Sequence, residues 1–167
     1  MTDPNLKIRK KLDTQISSIF HDWKEERKAS NITLITWTFD AFMSNKLAII
    51  LLIEKGVPYS LFDIIQDYTP LEEEDWTKIL NLSSKSLQRY KQQEKDFGPL
   101  QSEKIIEMAE VTNIGLDVFG NMPKFKLWLT TPNFALGKRK PIELLKDSYG
   151  KELVIGELTR VNYGILA

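Results

Sequence analysis

The sequence contains no cysteine. This absence excludes disulfide bonds, thiol nucleophiles and cysteine-ligated zinc, and it makes a reducing cytoplasm the expected compartment. Histidine is nearly absent as well, because His21 is the only one. Multi-histidine metal sites and His–Cys dyads cannot be assembled from one such chain. We therefore expect neither a metal nor a cofactor, and we interpret His21 as a surface residue.

The chain also lacks long apolar runs and a net charge. Its longest apolar run, residues 47–53, is far shorter than the roughly 18 residues that a membrane span requires. Residues 1–13 lack the apolar core of a signal peptide, so we expect a cytoplasmic protein with no membrane contact. Basic and acidic residues number 23 each, yet residues 63–75 hold six acids and no base, whereas residues 120–140 hold five bases and no acid. The local distribution of charge is therefore more informative than its sum.

Apolar residues at helical spacing recur along most of the chain, which predicts an all-α fold. The first such segment, residues 6–29, carries its apolar residues on one helical face: Leu12, Ile16, Ile19, Phe20 and Trp23. This face would either form a dimer interface, the alternative we prefer, or pack on the rest of the chain. Residues 31–39 fit neither period cleanly and are predicted to be an extended linker or a short strand.

Further helices are predicted on either side of a short break. Ser44 is a candidate N-cap for a buried helix that ends at Gly56, and a second helix covers residues 57–68. Two short helices then surround a break at residues 81–83, with Ser83 or Ser84 as the candidate cap of the second helix. This is the sequence form of a helix-turn-helix. A longer helix, with Leu100 among its inward residues, ends at Gly120. Three short helical segments follow, at residues 124–129, 141–147 and 151–163.

Two charged stretches of this middle and C-terminal region invite functional interpretations. The acids at residues 72–75 resemble a metal site, but they begin a predicted helix, where the macrodipole favours negative charge. Lys138, in the basic loop at residues 137–140, does not belong to a phosphate-binding P-loop. That motif requires glycine where Pro132 stands and serine or threonine where Arg139 stands.

The second helix of the predicted helix-turn-helix carries polar and basic residues suited to DNA. Arginine and glutamine hydrogen-bond to guanine and adenine edges, while lysine and serine contact phosphates. The candidate DNA-binding residues are Ser84, Lys85, Gln88, Arg89, Lys91 and Gln92. Helix-turn-helix shapes also occur as packing units, and the acids at residues 72–75 would repel a DNA backbone, so spacing alone leaves both interpretations open.

An ordered set of short motifs runs through the rest of the chain. The motifs are "LSSKSLQR" at residues 82–89, "WL" at 128–129, "PN" at 132–133, "ALG" at 135–137, Pro141 with "LL" at 144–145, and "RVNYG" at 160–164. With these motifs in this order, residues 47–167 resemble the Xre/MbcA/ParS family of antitoxins, which are partners of RES-domain toxins. Tyr90 departs from the pattern, since many members carry a second base there.

The resemblance implies an Xre-like helix-turn-helix domain, residues 46–119, followed by a small helical toxin-binding domain, residues 120–167. Residues 1–45 precede both as an N-terminal helix and linker. Family members cover the active-site entrance of a toxin that consumes NAD, and as homodimers they bind operator DNA to repress their own operon. That NAD chemistry would belong to the partner and not to this chain.

Matching family positions divide the C-terminal residues into two groups. The scaffold group is Trp128, Pro132, Leu136, Gly137 and Pro141. The candidate toxin contacts are Asn133, Lys138, Arg139, Lys140, Arg160, Asn162, Tyr163 and Gly164. One alternative is a helix-turn-helix transcription regulator without a toxin partner. Another is an enzyme using a carboxylate pair, which we disfavour because no such pair is placed by flanking turns to form a cleft.

Overall fold

The computed structural model describes residues 4–27 and 37–164, and its secondary structure within those ranges is helical. The helices are α1 (Pro4–Arg27), α2 (Phe39–Met43), α3 (Lys46–Lys55), α4 (Tyr59–Tyr68), α5 (Glu73–Leu80), α6 (Ser84–Gln92), α7 (Pro99–Phe119), α8 (Met122–Thr130), a 3₁₀ turn (Phe134–Leu136), α9 (Pro141–Leu144) and α10 (Ser148–Asn162). The all-α prediction is confirmed. The linker or strand predicted for residues 31–39 lies, up to residue 36, outside the described residues.

Helix α1 packs into the core of the chain. Leu12 and Ile16 are fully buried and Ile19 is 7% exposed, because α1 lies against α4 and α2. The Asp13 carboxylate also accepts a 2.7 Å hydrogen bond from the Phe39 amide. The dimer interface predicted for this apolar face is therefore wrong, since the face is already covered within one chain.

Helix α3 lies at the surface, although the sequence predicted a buried helix. Its N-cap is Asn45, one residue after the predicted Ser44, and the Asn45 side chain accepts a 3.1 Å hydrogen bond from the Ala48 amide. One side of α3 is buried through Ala48 and Leu52. On the other side, Leu47 is 79% exposed and Ile50 is 50% exposed. The uniform hydrophobicity of the segment concealed this division.

Helices α5 and α6 form the predicted helix-turn-helix. Asn81 adopts a left-handed conformation, with φ of 52°, at the break between them. The Ser83 hydroxyl accepts a 3.1 Å hydrogen bond from the Ser86 amide and so caps α6, as the sequence predicted. Trp76 anchors α5 in the core, and Leu87 is the buried residue of α6. Most of the remaining α6 side chains are exposed.

Helix α7 is the central scaffold, because α3, α4, α5, α8 and α10 all pack against it. It ends at Gly120 as predicted. Leu100 was predicted to face inward, but it is 76% exposed, since it lies in the first turn, where α7 extends beyond the core. No helix among the described residues is long and apolar enough to cross a bilayer.

Two of the three C-terminal helices are longer than the sequence suggested, whereas α9 (Pro141–Leu144) is shorter than the segment predicted at residues 141–147. Helix α8 begins two residues earlier than predicted, with the Asn121 side chain as its cap. Helix α10 begins at Ser148, where the Asp147 carboxylate accepts a 2.8 Å hydrogen bond from the Gly150 amide. The close approach of α10 to α9 requires glycine at position 150, because a Cβ there would lie 1.9 Å from the Leu144 carbonyl oxygen.

Candidate functional site

Helix α6 presents one polar, solvent-facing surface. All six candidate DNA-binding side chains on it are exposed: Ser84, Lys85, Gln88, Arg89, Lys91 and Gln92. Tyr90 is half-buried instead, and its ring stacks on Phe97 with centroids 4.6 Å apart and planes 14° apart. Tyr90, the expected departure from the family pattern, thus contributes to packing here. The exposed serine, lysine, glutamine and arginine side chains of α6 are of the types that contact DNA bases and phosphates.

The acids before α5 form a helix cap. The Asp75 carboxylate accepts a 2.9 Å hydrogen bond from the Glu72 amide, and the two residues form a reciprocal capping box. A hydrogen bond and positive charge from Lys126 hold the pKa of Glu72 below its ordinary value. Lys78 lowers the pKa of Glu74 in the same way. The capping box therefore explains this stretch. Within the described residues no cluster of acids, histidines or cysteines is arranged to hold a metal.

The basic loop is closed by its own backbone. The Asn133 amide donates to the Arg139 carbonyl at 3.0 Å, and the Lys138 amide donates to the Asn133 carbonyl at 2.9 Å. The tight turn between them places Gly137 and Lys138 in left-handed conformations, with φ of 67° and 61°. Leu136 anchors the loop in the core at 8% exposure. The three bases at residues 138–140 are consequently exposed on a rigid support.

Glu157 joins this loop to α10. The residue is buried, at 8% exposure. Its carboxylate accepts one hydrogen bond from the Asn133 side chain at 3.4 Å and another from Arg160 at 3.2 Å. Asn133 was predicted as a toxin contact, and the structure places its side chain toward Glu157 and the Ala135 amide. Sequence reasoning missed Glu157. The sequence feature that could have identified Glu157 is its position as a single acid beside Leu158, on the apolar side of the last helix.

The outer face of α10, which we define as Tyr149, Leu153, Gly156, Arg160 and Tyr163, was also missed as a unit. These residues are spaced at helical intervals along one side of the helix. Tyr149 is 83% exposed, Leu153 is 58% exposed and Tyr163 is 75% exposed. A side chain at Gly156 would meet nothing within 4 Å. The face therefore offers aromatic and apolar groups beside a guanidinium.

The remaining predicted residues fall into three environments. Trp128, assigned to the scaffold, is half-buried and packs on Phe125, with ring centroids 6.4 Å apart, and Pro141, assigned likewise, is buried. Pro132 and Gly137 are exposed and shape the backbone without entering the core. Asn162, Tyr163 and Gly164 are exposed at the end of α10. Residues 165–167 lie outside the described part of the chain.

A cluster of opposite charges attaches α10 to α7. Glu107 is 8% exposed and pairs with Lys104 at 2.9 Å and with Lys151 at 3.3 Å. Lys151 also lies 3.6 Å from Glu110. The small C-terminal domain is thus held to the same helix that supports the helix-turn-helix, which fixes the geometry between the two candidate surfaces.

These features define a class of protein: a helix-turn-helix protein with an appended small helical interaction domain. The family described as the antitoxin Xre-like helix-turn-helix domain matches residues 48–110. The family described as the antitoxin Xre/MbcA/ParS C-terminal toxin-binding domain matches residues 115–164. The chain belongs to the Xre/MbcA/ParS antitoxin family.

Two curated relatives support this assignment. Antitoxin Xre of Yersinia enterocolitica is 27% identical over 116 residues, which cover 69% of this chain and 78% of the relative. Antitoxin Xre of Photorhabdus laumondii is 24% identical over 117 residues, covering 70% and 79% respectively. A chain in the crystal structure of the M. tuberculosis MbcT–MbcA toxin–antitoxin complex has a TM-score of 0.51 at 22% identity. The match covers 64% of this chain and 94% of that one, and it shows a shared fold.

Proposed function

We propose that this antitoxin neutralises a RES-domain toxin through its C-terminal domain, residues 120–167, and that α6 binds the promoter of its own operon. The catalytic, NAD-consuming chemistry belongs to the toxin, and this chain acts as a non-enzymatic inhibitor and regulator. The observation that carries the proposal is that Glu157 locks the basic loop to α10 beside Arg160.

The fixed position of the loop favours binding, because less conformational entropy is lost when the elements of an interface are already ordered. The closure of residues 133–139 and the buried Glu157 hold the loop before any partner arrives. Tyrosine and arginine are the residue types that dominate binding energy at protein interfaces, and the outer face of α10 supplies both. The surface therefore combines a rigid shape with residues suited to tight contact.

The charge of the loop indicates the kind of surface it binds. Lys138, Arg139 and Lys140 are exposed with no acid among residues 120–140 to offset them locally. Such a patch accelerates association with an acidic surface and favours the anion-binding mouth of a nucleotide-using active site. Covering that mouth is the inhibition we propose.

DNA binding is supported by the exposure of all six α6 side chains. Two of the nearby acids are paired with lysines, Glu72 with Lys126 and Glu74 with Lys78. These ion pairs reduce the repulsion of the DNA backbone that the sequence predicted. A dimer would place two α6 helices on half-sites about one helical turn of DNA apart. We propose this arrangement for operon repression.

Co-expression tests the toxin-binding half. Cells would express the neighbouring reading frame alone and together with this chain while intracellular NAD is followed. We expect toxicity with loss of NAD, both reversed by this chain. A harmless neighbour would contradict the toxin partnership and favour a helix-turn-helix regulator without a toxin, whose promoter binding would then be measured directly.

A further inference from the structure

The exposed side of α3 is an apolar surface that the proposed toxin and DNA contacts do not use. Lys46, Leu47, Ile50 and Glu54 are exposed along it, opposite the buried Ala48 and Leu52. Leu47 is 79% exposed and Ile50 is 50% exposed. Two large aliphatic side chains side by side on one short helix are costly to leave in water, which points to a covering partner.

We propose that a second copy of this chain covers the surface, with the two α3 helices packed antiparallel across a twofold axis at Ile50. The charges select this occupant. Lys46 lies four residues before Ile50 and Glu54 lies four residues after it. Antiparallel packing about Ile50 therefore sets Lys46 of each copy against Glu54 of the other, which forms two equivalent ion pairs.

The same surface is poorly suited to DNA, the partner proposed for α6. DNA phosphates attract surfaces that carry only basic residues. The exposed side of α3 also carries the acidic Glu54, which would repel the phosphates. A parallel pair of α3 helices would set Lys46 against Lys46 and Glu54 against Glu54, so the charges also select the antiparallel direction. Lys46 has an intrachain partner in Glu110 at 3.6 Å, but its side chain remains 76% exposed and free to reorient.

The α3 contact would form the dimer that the proposed function requires for promoter binding, and its role in the cell rests on that proposed function. Helix α3 spans only about 15 Å, at 1.5 Å for each of its ten residues. The contact area is accordingly small, and we infer a weak dimer that two operator half-sites stabilise by bringing the copies together. The axis at Ile50 involves no residue of the outer face of α10, although Lys46 of α3 and Lys151 of α10 share Glu110 as a partner, at 3.6 Å each.

Cysteine cross-linking tests the axis, since the chain has no cysteine of its own. Under mild oxidation the full-length Ile50→Cys variant should form a covalent dimer, because a residue on the axis meets its own copy at disulfide distance. Leu153→Cys, at a comparably exposed site on α10, is the matched control and should stay monomeric. Equal cross-linking of the two variants, or cross-linking of Leu153→Cys alone, overturns the proposal.

A charge swap tests the antiparallel direction. Sedimentation velocity on the chain without toxin or DNA should show that Lys46→Glu and Glu54→Lys each raise the dimer dissociation constant about tenfold. The double variant should recover the original value, and Glu110→Gln controls for loss of the intrachain pair. A monomeric chain at all accessible concentrations, or a double variant as weak as the singles, refutes the α3 interface. Because toxin is absent from these measurements, they can fail while toxin neutralisation stands, and the reverse also holds.

Discussion

The Asn133 side-chain amide donates a hydrogen bond to the buried Glu157 carboxylate at 3.4 Å. Through this bond the basic loop, which precedes α9 in the chain, is fastened to the middle of α10. Arg160 approaches the same carboxylate from the other side at 3.2 Å. One buried acid thus sets the positions of both the loop and the guanidinium that we propose as toxin contacts.

Removing that acid should loosen the loop. Glu157→Ala leaves the Asn133 amide and Arg160 without their shared acceptor, and we expect a loss of about 1–3 kcal/mol in unfolding free energy. Toxin affinity should fall as well, because the loop is no longer preorganised. Urea denaturation and a binding titration measure the two effects.

Two variants separate this role from a general loss of charge. Glu157→Gln keeps an acceptor oxygen and should retain most of the stability. Glu152→Ala removes an exposed acid from the same helix and should change neither quantity. If Glu157→Ala behaves like Glu152→Ala, the carboxylate does not organise the loop.

Two glycines of α10 should respond in opposite directions to alanine. Gly150→Ala places a Cβ 1.9 Å from the Leu144 carbonyl oxygen, so α9 and α10 must separate, at a cost of about 1–3 kcal/mol. Gly156→Ala meets nothing within 4 Å and should stabilise the helix by about 0.5–1 kcal/mol. Thermal unfolding of both variants gives the comparison, and a loss of stability at Gly156 comparable to that at Gly150 would contradict the packing.

The sequence predicted the elements whose signals are local. The break at residues 81–83, the Ser83 cap and the end of α7 at Gly120 were all confirmed, because capping and turn residues act within a few positions. The partner of an apolar face is not a local property. The apolar side of α1 was therefore assigned to a dimer although it packs into the core of its own chain. The exposure of Leu47, likewise, could not be read from a uniformly apolar segment.

The candidate site was predictable in the same limited way. Exposed bases at residues 138–140 follow from a polar loop between helices. The role of Glu157 depends on contact with Asn133, 24 positions away in the chain, and the Glu107 cluster likewise joins α7 to α10. Such pairings arise only when the helices pack, so neither charge spacing nor helical periodicity reveals them.

Glu107 should be far more important for stability than an exposed ion pair. Glu107→Ala removes the acid that Lys104 and Lys151 share and leaves Lys151 only its longer pair with Glu110, at 3.6 Å. We expect a loss of about 3 kcal/mol, the lower end for breaking a buried pair, since both lysines keep some solvent contact. The matched control is Lys78→Ala, which breaks the exposed Glu74–Lys78 pair on α5 and should leave the unfolding midpoint unchanged. Equal effects in chemical denaturation would show that the Glu107 cluster is dispensable.

Arg89 should contribute specificity to promoter binding. Its side chain is exposed on α6, where a bidentate contact to guanine is worth about 1–3 kcal/mol, and Arg89→Ala should lose that amount. Lys91→Ala should instead weaken binding to all sequences alike and lower the salt slope by about one. Fluorescence anisotropy with the promoter fragment distinguishes the two patterns. Tyr90→Phe keeps the stack on Phe97 and serves as the control, and an unchanged affinity for Arg89→Ala would refute its base contact.

Arg139 tests whether the basic loop binds the toxin, because its side chain is exposed while its backbone closes the loop. Reversing the charge with Arg139→Glu leaves the Asn133–Arg139 backbone hydrogen bond in place, so the fold and promoter binding should be retained. Toxin affinity should fall about tenfold or more, with the larger part of the effect at low salt, where charge steering is strongest. Lys124→Glu reverses an exposed base on α8 outside the loop and should have little effect on neutralisation. If the two reversals weaken neutralisation equally, the toxin responds to the net charge of the domain and the loop makes no specific contact.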